Sequence, residues 1–394
     1  MAERMLVQPD LEFIRHIEKA GGETLKQCYQ CATCSTVCEL SPAEKPFPRK
    51  EMLWAQWGLK DRLLRDPDVW LCHQCNDCST NCPRGARPGD VLAAVRDYIY
   101  AGFTFPRFMG RALANPAALP LLFLFPILVI GALMMFHTGG DFSFLTAGAI
   151  EYQRMIPHGY IEMLFIGGNV LIFLIAGVGL WRFWTGLTHE AAREEGPGFI
   201  AALIRTVLQI ATHTHFGTCK QNRPRQVAHL LVFYGFLGAG ATAGLALFFT
   251  VIWPVMETPI DLPHPIKILG ALSGLALFAG TTLMIVRRDL QSDDVGADGY
   301  PDRLFLWIVL FVGVTGLLTW LLRLTGIGPV AYPVYFIHLV VVFFLLWYMP
   351  YSKFAHMLYR TLAMIWALEH GREIAARQPV PALPPAAAEG QAAA

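Results

Sequence analysis

Six apolar stretches of membrane-spanning length constrain this chain most. They cover about residues 118–137, 159–184, 228–252, 266–286, 304–325 and 334–352. A helix needs roughly 20 apolar residues to cross the hydrocarbon layer of a bilayer, and each stretch is close to that length. A chain with these segments cannot fold as one soluble domain, and we predict six transmembrane helices.

Charged residues are concentrated in the part of the chain that precedes the apolar stretches. Residues 1–102 carry 27 Lys, Arg, Asp and Glu side chains, whereas the other 292 residues carry only 34. We therefore predict a cytoplasmic domain over 1–102, a linker over 103–117 and a transmembrane domain over 118–357. A cytoplasmic helix and a disordered Ala/Pro tail are predicted over 358–394. The net charge of +1 gives no electrostatic footprint for nucleic acid.

Lys and Arg are concentrated in alternate loops. The loops 185–227 and 287–303, with the tail after residue 352, hold twelve of them, whereas the three intervening loops hold only Arg154. Because loops rich in Lys and Arg stay in the cytoplasm, both termini are expected there. The predicted location is the inner (cytoplasmic) membrane, crossed six times.

Two cysteine runs of one spacing lie in the charged part. They are Cys28-x2-Cys31-x2-Cys34-x3-Cys38 and Cys72-x2-Cys75-x2-Cys78-x3-Cys82-Pro83. This is the spacing of ferredoxin-type [4Fe–4S] ligands, in which the fourth thiolate of each run binds the other cluster. We expect one cluster on Cys28, Cys31, Cys34 and Cys82, and a second on Cys72, Cys75, Cys78 and Cys38.

Disulfides and zinc are the alternatives for these cysteines. Disulfides are rare in the cytoplasm, and zinc sites built from Cys-x2-Cys pairs leave the regular triplets unexplained. Residues 43–71, between the runs, have a helical pattern. The charged part is therefore predicted to be an α-helical ferredoxin-like head.

Histidines in the apolar part are candidate axial ligands of haem b, since imidazole binds iron well and ionisable residues inside membranes are functional candidates. His338 and His356 are 18 residues apart. If the last helix continues through Pro350, they share one face and are separated by roughly 27 Å. That separation suits two haems stacked across the bilayer.

The partner ligands must lie at matching depths. His229 starts the third apolar stretch and is the candidate partner of His356. His158 is preferred for His338 over His137 and over His264, which is flanked by prolines. The alternative for each is a capping or interfacial histidine.

The predicted fold class is all-α, with an α-helical ferredoxin-like head and a six-helix transmembrane haem b bundle. His213 and His215 precede the third stretch. We interpret them as surface residues or as neighbours of a haem propionate.

The last apolar stretch resembles that of the respiratory nitrate reductase gamma subunit. The resemblance rests on His338-Leu339-Val340 and on Pro350-Tyr351-Ser352-Lys353-Phe354-Ala355-His356. In that family both histidines bind haem b. Residues 270–288 and 302–319 resemble its preceding helices. Its second helix carries two haem histidines, whereas only His229 is available here.

The head resembles the iron–sulfur C subunit of heterodisulfide reductases. Its fusion to a gamma-like cytochrome is similar, over almost the whole chain, to the C subunit of quinone-interacting membrane-bound oxidoreductase (Qmo) complexes. This resemblance implies electron transfer from menaquinol through haem b and two clusters to cytoplasmic flavin/iron–sulfur subunits that resemble heterodisulfide reductase A. It also implies an indirect link to adenylylsulfate reductase in sulfate respiration.

Glu162 lies one turn after His158 and is the candidate acceptor of a quinol proton; an ordinary interfacial carboxylate is the alternative. Two other functions fit the sequence. One is the membrane subunit of a heterodisulfide reductase-type complex with a methanophenazine-type carrier, which co-purifying subunits would identify. The other is an iron–sulfur membrane anchor without haem, which a reduced-minus-oxidised spectrum would identify.

Overall fold

A computed structural model of the chain describes residues 8–42, 45–146, 148–188, 196–217, 223–261, 263–290, 296 and 299–372. These ranges contain α-helices and shorter helical turns joined by loops, and they contain no strand. This confirms the predicted all-α fold class. The predicted Ala/Pro tail lies beyond residue 372, outside the described residues.

The head consists of short helices around one apolar core. They are α1 (Leu11–Lys19), α2 (Thr33–Val37), α3 (Arg49–Gln56), α4 (Lys60–Leu64), α5 (Asp68–Leu71), α6 (Asp77–Thr80) and α7 (Pro88–Phe103). Helix α1 begins where the Asp10 carboxylate accepts a hydrogen bond from the Phe13 amide at 2.9 Å. Its apolar face buries Phe13, Ile14 and Ile17 in the core.

Helix α8 (Arg107–Leu113) connects the head to the bundle. The bundle and its flanking helices are α9 (Leu119–Thr138), α10 (His158–Thr188), α11 (Phe199–Thr212), α12 (Arg223–Leu247), α13 (Pro265–Leu290), α14 (Tyr300–Arg323), α15 (Gly328–Trp347) and α16 (His356–Glu369). Six of them are long and apolar enough to cross a membrane, namely α9, α10 and α12 to α15. These six helices are compatible with a multi-pass membrane protein.

The chain does not continue as one helix from His338 to His356. Helix α15 ends at Trp347, two short turns follow, and α16 begins at His356 itself. Pro350 has no amide hydrogen and its ring opposes a continuing helix, so the break falls at this position. The premise of one helical face that carries both histidines is therefore wrong.

Head and bundle share a hydrophobic core. Trp70 of the head stacks on Tyr359 of α16, with ring centroids 5.2 Å apart, and meets Phe183 of α10 edge-on at 5.9 Å. Such aromatic pairs contribute about 0.5–1.5 kcal/mol each beyond the burial of their area. The head is consequently fixed on one end of the bundle.

Helices α12 and α13 pack closely through glycine. A Cβ atom at Gly280 would lie 2.8 Å from the Ala228 carbonyl oxygen and 2.9 Å from the Val232 side chain. Only glycine allows this approach, which sets the position of the first turns of α12.

Candidate functional site

The first cysteine run forms a loop that turns around one point. Gln30 and Ala32, on either side of Cys31, have left-handed backbones with φ of 59° and 70°. This conformation is costly for residues other than glycine, and it persists where the surroundings fix it, often at ligand sites. Helix α2 then places Cys34 in the buried interior.

The second run repeats this conformation at the corresponding positions. Gln74 and Asn76 flank Cys75 with φ of 51° and 75°, and α6 carries Cys78 as α2 carries Cys34. Two segments with different sequences thus adopt the same unusual backbone. The shared feature is the cysteine spacing, which indicates that the backbone of each loop brings its thiols close together.

The structure brings the eight thiols into two groups. Cys28, Cys31 and Cys34 lie together, and the Cys82 thiolate charge acts on Cys28. The other group is formed by Cys72, Cys75, Cys78 and Cys38. The fourth cysteine of each run therefore lies with the other run, as the crossed assignment requires. Cluster ligation by these residues remains a prediction.

The electrostatics of the thiols fit a metal cluster. Burial raises the pKa of Cys34 to about 11 and that of Cys38 to about 12, and the neighbouring thiolates of each group add to these shifts. Four converging thiolates are therefore unstable without a compensating positive charge, which iron supplies. The eight described cysteines form no disulfide with one another.

A cavity of about 230 Å³ lies where the head meets the bundle. Cys72, His73 and Gln74 of the second cysteine run form one wall, while His229 of α12 and His356 of α16 belong to the same lining. A second, apolar pocket near Leu113 has only about 20 Å³. The larger cavity is the one of a size to accept an organic ligand.

The two predicted ligand histidines each use one ring nitrogen within the protein. Nδ1 of His356 donates to the Lys353 carbonyl oxygen at 2.5 Å, and Nδ1 of His229 contacts Nε2 of His213 at 2.7 Å. Burial lowers the pKa of His356 to about 4, which keeps its imidazole neutral, as a metal ligand must be. Nε2 of each ring is left for a ligand. Such outer hydrogen bonds are typical of metal-binding histidines.

Arginines join this cavity to the second cysteine run. Arg225 of α12 donates to the carbonyl oxygens of His73 and Gln74 at 2.8 and 3.0 Å, and Arg360 donates to that of Cys72 at 3.2 Å. The cavity lining includes further cationic side chains, namely Arg96, Arg287, Arg288 and Lys353. The site is thus strongly basic and suits a ligand with carboxylate groups.

His213 lines the cavity and is only 5% exposed. Its interpretation as a surface residue is therefore wrong, whereas the alternative position beside a haem propionate stays a prediction. Sequence reasoning did not indicate its contact with His229. His213 ends α11 in a left-handed conformation with φ of 51°, which turns the ring back toward α12. The side chain of His215 lies outside the described residues.

The remaining predicted residues lie elsewhere in the bundle. Thr315 of α14 donates to the Phe311 carbonyl oxygen, so its hydroxyl oxygen accepts the hydrogen of His338 Nδ1 at 2.9 Å. His158 is exposed at the start of α10, and Glu162 is half-buried one turn later. Neither one figures in the contacts described for His338, so the described residues do not pair His338 with His158.

A separate acidic cluster lies inside the head. Glu51, Asp66 and Asp68 are buried, with ligand-type oxygens all within 4.8 Å of one another. The Lys50 ammonium lies 2.8–3.2 Å from all three, and Arg372 binds Asp68 at 2.5 Å. Two cationic side chains therefore already offset most of the negative charge of this cluster.

Two protein families match the chain. Residues 24–86 match the 4Fe-4S dicluster domain, and residues 110–378 match the family described as Citrate utilization protein B. No solved structure matches the chain.

Two kinds of relative match different lengths of the chain. The C subunit of the H(2):CoB-CoM heterodisulfide,ferredoxin reductase of Methanothermobacter marburgensis is 37% identical over 99 residues, which are 25% of this chain and 53% of that protein. A protein of Archaeoglobus profundus that is similar to the heterodisulfide reductase C subunit is 35% identical over 97 residues, 24% of this chain and 52% of that protein. The chain spans about half the length of these relatives. Citrate utilization protein B of Escherichia coli is 25% identical over 398 aligned residues, 94% of this chain and 95% of that protein.

Proposed function

Because this chain belongs to the citrate utilization protein B family and carries a 4Fe-4S dicluster domain, we propose that it is the membrane electron-transfer subunit of an oxidoreductase complex. In this proposal electrons from menaquinol reach cytoplasmic flavin/iron–sulfur subunits through haem b and two [4Fe–4S] clusters. The relatives of the head, which are C subunits of heterodisulfide reductases, support an electron-transfer role.

One observation carries the proposal. A single cavity is lined both by two hydrogen-bonded histidines, His229 and His356, and by Cys72, His73 and Gln74 of the second cysteine run. A purely structural anchor would not need two imidazoles and the Cys72 end of a cysteine run in the lining of one ligand-sized cavity. Haem and cluster each supply one-electron transfer when bound.

His229 and His356 are the residues that would hold a haem b here. Their Nδ1 atoms are engaged within the protein, which leaves Nε2 of each ring available to iron. The arginines of the lining suit the two propionate carboxylates of a haem. Arg225 and Arg360 also bind the backbone of the second cysteine run, so the same side chains hold both halves of the site together.

A second haem b is proposed deeper in the bundle, with His338, in the middle of α15, as one ligand. The hydrogen bond to Thr315 fixes its ring and leaves Nε2 available. His158 stays the proposed partner ligand. Its side chain is exposed at the start of α10 and would have to turn toward α15 to bind the same iron. Glu162, in the next turn, stays the proposed acceptor of a quinol proton.

The soluble partners are proposed to be heterodisulfide reductase A-like subunits, with an indirect link to adenylylsulfate reductase. They would dock on the cytoplasmic head, where Cys31 is exposed. In this arrangement both termini face the cytoplasm and the bundle crosses the inner membrane.

A second candidate partner follows from the full-length relative. The heterodisulfide reductase relatives cover only the head, whereas Citrate utilization protein B of Escherichia coli aligns with 94% of this chain. That observation favours a soluble partner that takes part in citrate utilization. Subunits that co-purify with the native complex distinguish the two candidates.

Purification of the whole chain in detergent tests the proposed function. We expect a b-type haem band in the reduced-minus-oxidised spectrum, about eight non-haem iron atoms per chain, and haem reduction by a menaquinol analogue. Absence of the haem band would exclude the haem-containing conduit and leave the iron–sulfur anchor. Glu162→Gln should slow haem reduction by the quinol, and an unchanged rate would remove Glu162 from the proposal.

A further inference from the structure

We propose that His213 is a positioning residue for the haem at His229: it accepts the Nδ1 hydrogen of His229, orients that imidazole and lowers the reduction potential of the iron. This inference rests on the proposed haem site and adds a residue that neither the cysteine nor the histidine pattern assigns. Three observations support it.

The hydrogen bond has a defined direction once His229 binds iron. A neutral imidazole that uses Nε2 as a ligand carries its hydrogen on Nδ1. Nδ1 of His229 lies 2.7 Å from Nε2 of His213, so His213 Nε2 must be the acceptor. The hydrogen of His213 then sits on its own Nδ1.

The His213 ring is held rigidly in this place. His213 is 5% exposed and ends α11 in the left-handed conformation. Gln226 of α12 donates to the His213 carbonyl oxygen at 3.3 Å, which ties the turn to the helix that carries His229. The orientation of His213 is consequently set by backbone contacts and not by the imidazole pair alone.

Aromatic rings enclose the pair. Phe216 lies 5.3 Å from the ring of His213 and 5.1 Å from that of His229, and Phe233 lies 5.3 Å from His213. These rings limit rotation of both imidazoles and limit the access of water that would otherwise replace the hydrogen bond. The pair is therefore a preformed unit.

The chemical consequence concerns the basicity of the ligand. An acceptor at Nδ1 increases the electron density that the imidazole donates to iron, which stabilises the oxidised form. The partner of His356 is a backbone carbonyl, whereas that of His229 is a side chain. A substitution can therefore remove the hydrogen bond on one side of the proposed haem only.

The test is a redox titration of the full-length, haem-loaded chain with two substitutions. His213→Gln keeps an acceptor oxygen, and His213→Leu removes it. The titration component assigned to this haem is the one that His356→Leu eliminates. His370→Leu is the matched control, because His370 stacks on Trp366 away from the cavity lining.

We expect His213→Leu to raise the midpoint potential of this component and to change its low-spin EPR signal. His213→Gln should stay closer to the unsubstituted chain, and His370→Leu should leave the potential unchanged. Retention of haem by the Gln variant together with its loss from the Leu variant would also support positioning by the hydrogen bond.

Equal midpoint potentials in the unsubstituted chain, His213→Leu and His213→Gln would overturn the inference while leaving the haem site intact. Loss of the component from both His213 variants would overturn it as well, because His213 would then be an axial ligand. An unsubstituted chain with no b-type haem contradicts the proposed function instead, and the spectrum recorded before titration separates these failures.

Discussion

At the scale of single residues, the buried carboxyl groups of the acidic cluster in the head differ in how they are paired with cations. Asp68 is bound by both Lys50 and Arg372, whereas Glu51 lies beside two other carboxylates and faces the same ammonium. Burial and the charges of Asp66 and Asp68 raise the pKa of Glu51. Burial and its neighbours therefore favour the neutral form of the Glu51 carboxyl group.

We expect Asp68→Asn to destabilise the protein by roughly 3 kcal/mol, because it leaves the buried Arg372 guanidinium without its carboxylate partner and removes one of the carboxylates around Lys50. Glu51→Gln should change stability by less than about 1 kcal/mol, since the amide has the shape of the neutral carboxyl group that the raised pKa of Glu51 favours. Thermal unfolding of both variants, followed by circular dichroism, measures the difference. Equal destabilisation would show that Glu51 is ionised.

Asp97 makes stability depend on pH. Burial, with the neighbouring Asp302 carboxylate, raises the pKa of Asp97 from 3.8 to about 7. Between these values the folded state binds more protons than the unfolded state, so stability falls as pH rises through this window. Above pH 7 Asp97 is ionised in both states, and the loss of folding stability from its burial is complete.

Asp97→Asn should therefore stabilise the protein more at pH 7.5 than at pH 5.5, by about 1–2 kcal/mol. Melting temperatures of both chains at the two pH values test this. Asp289→Asn is the control, because Asp289 pairs with Arg303 at the surface and both side chains are 58% exposed. A pH-independent difference between Asp97→Asn and the unsubstituted chain would contradict the assignment.

At the scale of elements, glycine contact between α12 and α13 sets the position of His229. A Cβ at Gly280 would meet the carbonyl oxygen of Ala228, the residue that precedes His229. The corresponding atom at Gly240, further along α12, has nothing within 4 Å. The two positions therefore form a matched pair of substitutions.

Gly280→Ala is expected to displace the first turns of α12 and lower the haem-to-protein ratio of the purified chain. Gly240→Ala should leave that ratio unchanged, since it opens toward free space. The pyridine haemochrome assay measures both. Equal haem content in the two variants would show that the helix contact does not position the proposed ligand.

Local patterns predict most of these elements. The six spans are predicted because each is a continuous apolar stretch, and the thiol triplets because each is confined to seven residues. The sequence does not decide whether the helix breaks before His356, since a proline such as Pro350 either kinks or ends a helix according to its surroundings.

Contacts between distant elements escaped such reasoning. The approach of His213 to His229 depends on a left-handed reversal at His213 that no periodicity predicts. The stacking of Trp70 on Tyr359 depends on tertiary packing of residues far apart in the sequence. For the same reason, no sequence pattern indicated that one cavity would join the histidines to the second cysteine run.

At the scale of the whole molecule, the head is packed onto the bundle through a shared core and through arginine contacts. Arg225 belongs to α12, which also carries His229, and it donates to two carbonyl oxygens of the second cysteine run. The proposed electron path needs fixed distances between its redox centres, and these contacts hold the second cysteine run against α12.

Arg225→Gln should slow electron transfer between haem and clusters without removing either cofactor. The reason is that the variant loosens the contact of the second run with α12 while leaving all proposed ligands in place. Flash or stopped-flow reduction, with haem and iron content as controls, measures this. An unchanged rate would show that Arg360 and the aromatic core suffice to hold the head.

The most direct test of the conduit is the reduction of the clusters by a menaquinol analogue in the unsubstituted chain and in His356→Leu. The account predicts that quinol reduces haem and then clusters in the former. The variant should keep its eight non-haem irons, and dithionite should still reduce its clusters, but quinol should not. Quinol reduction of the clusters at the same rate in both chains would contradict the account.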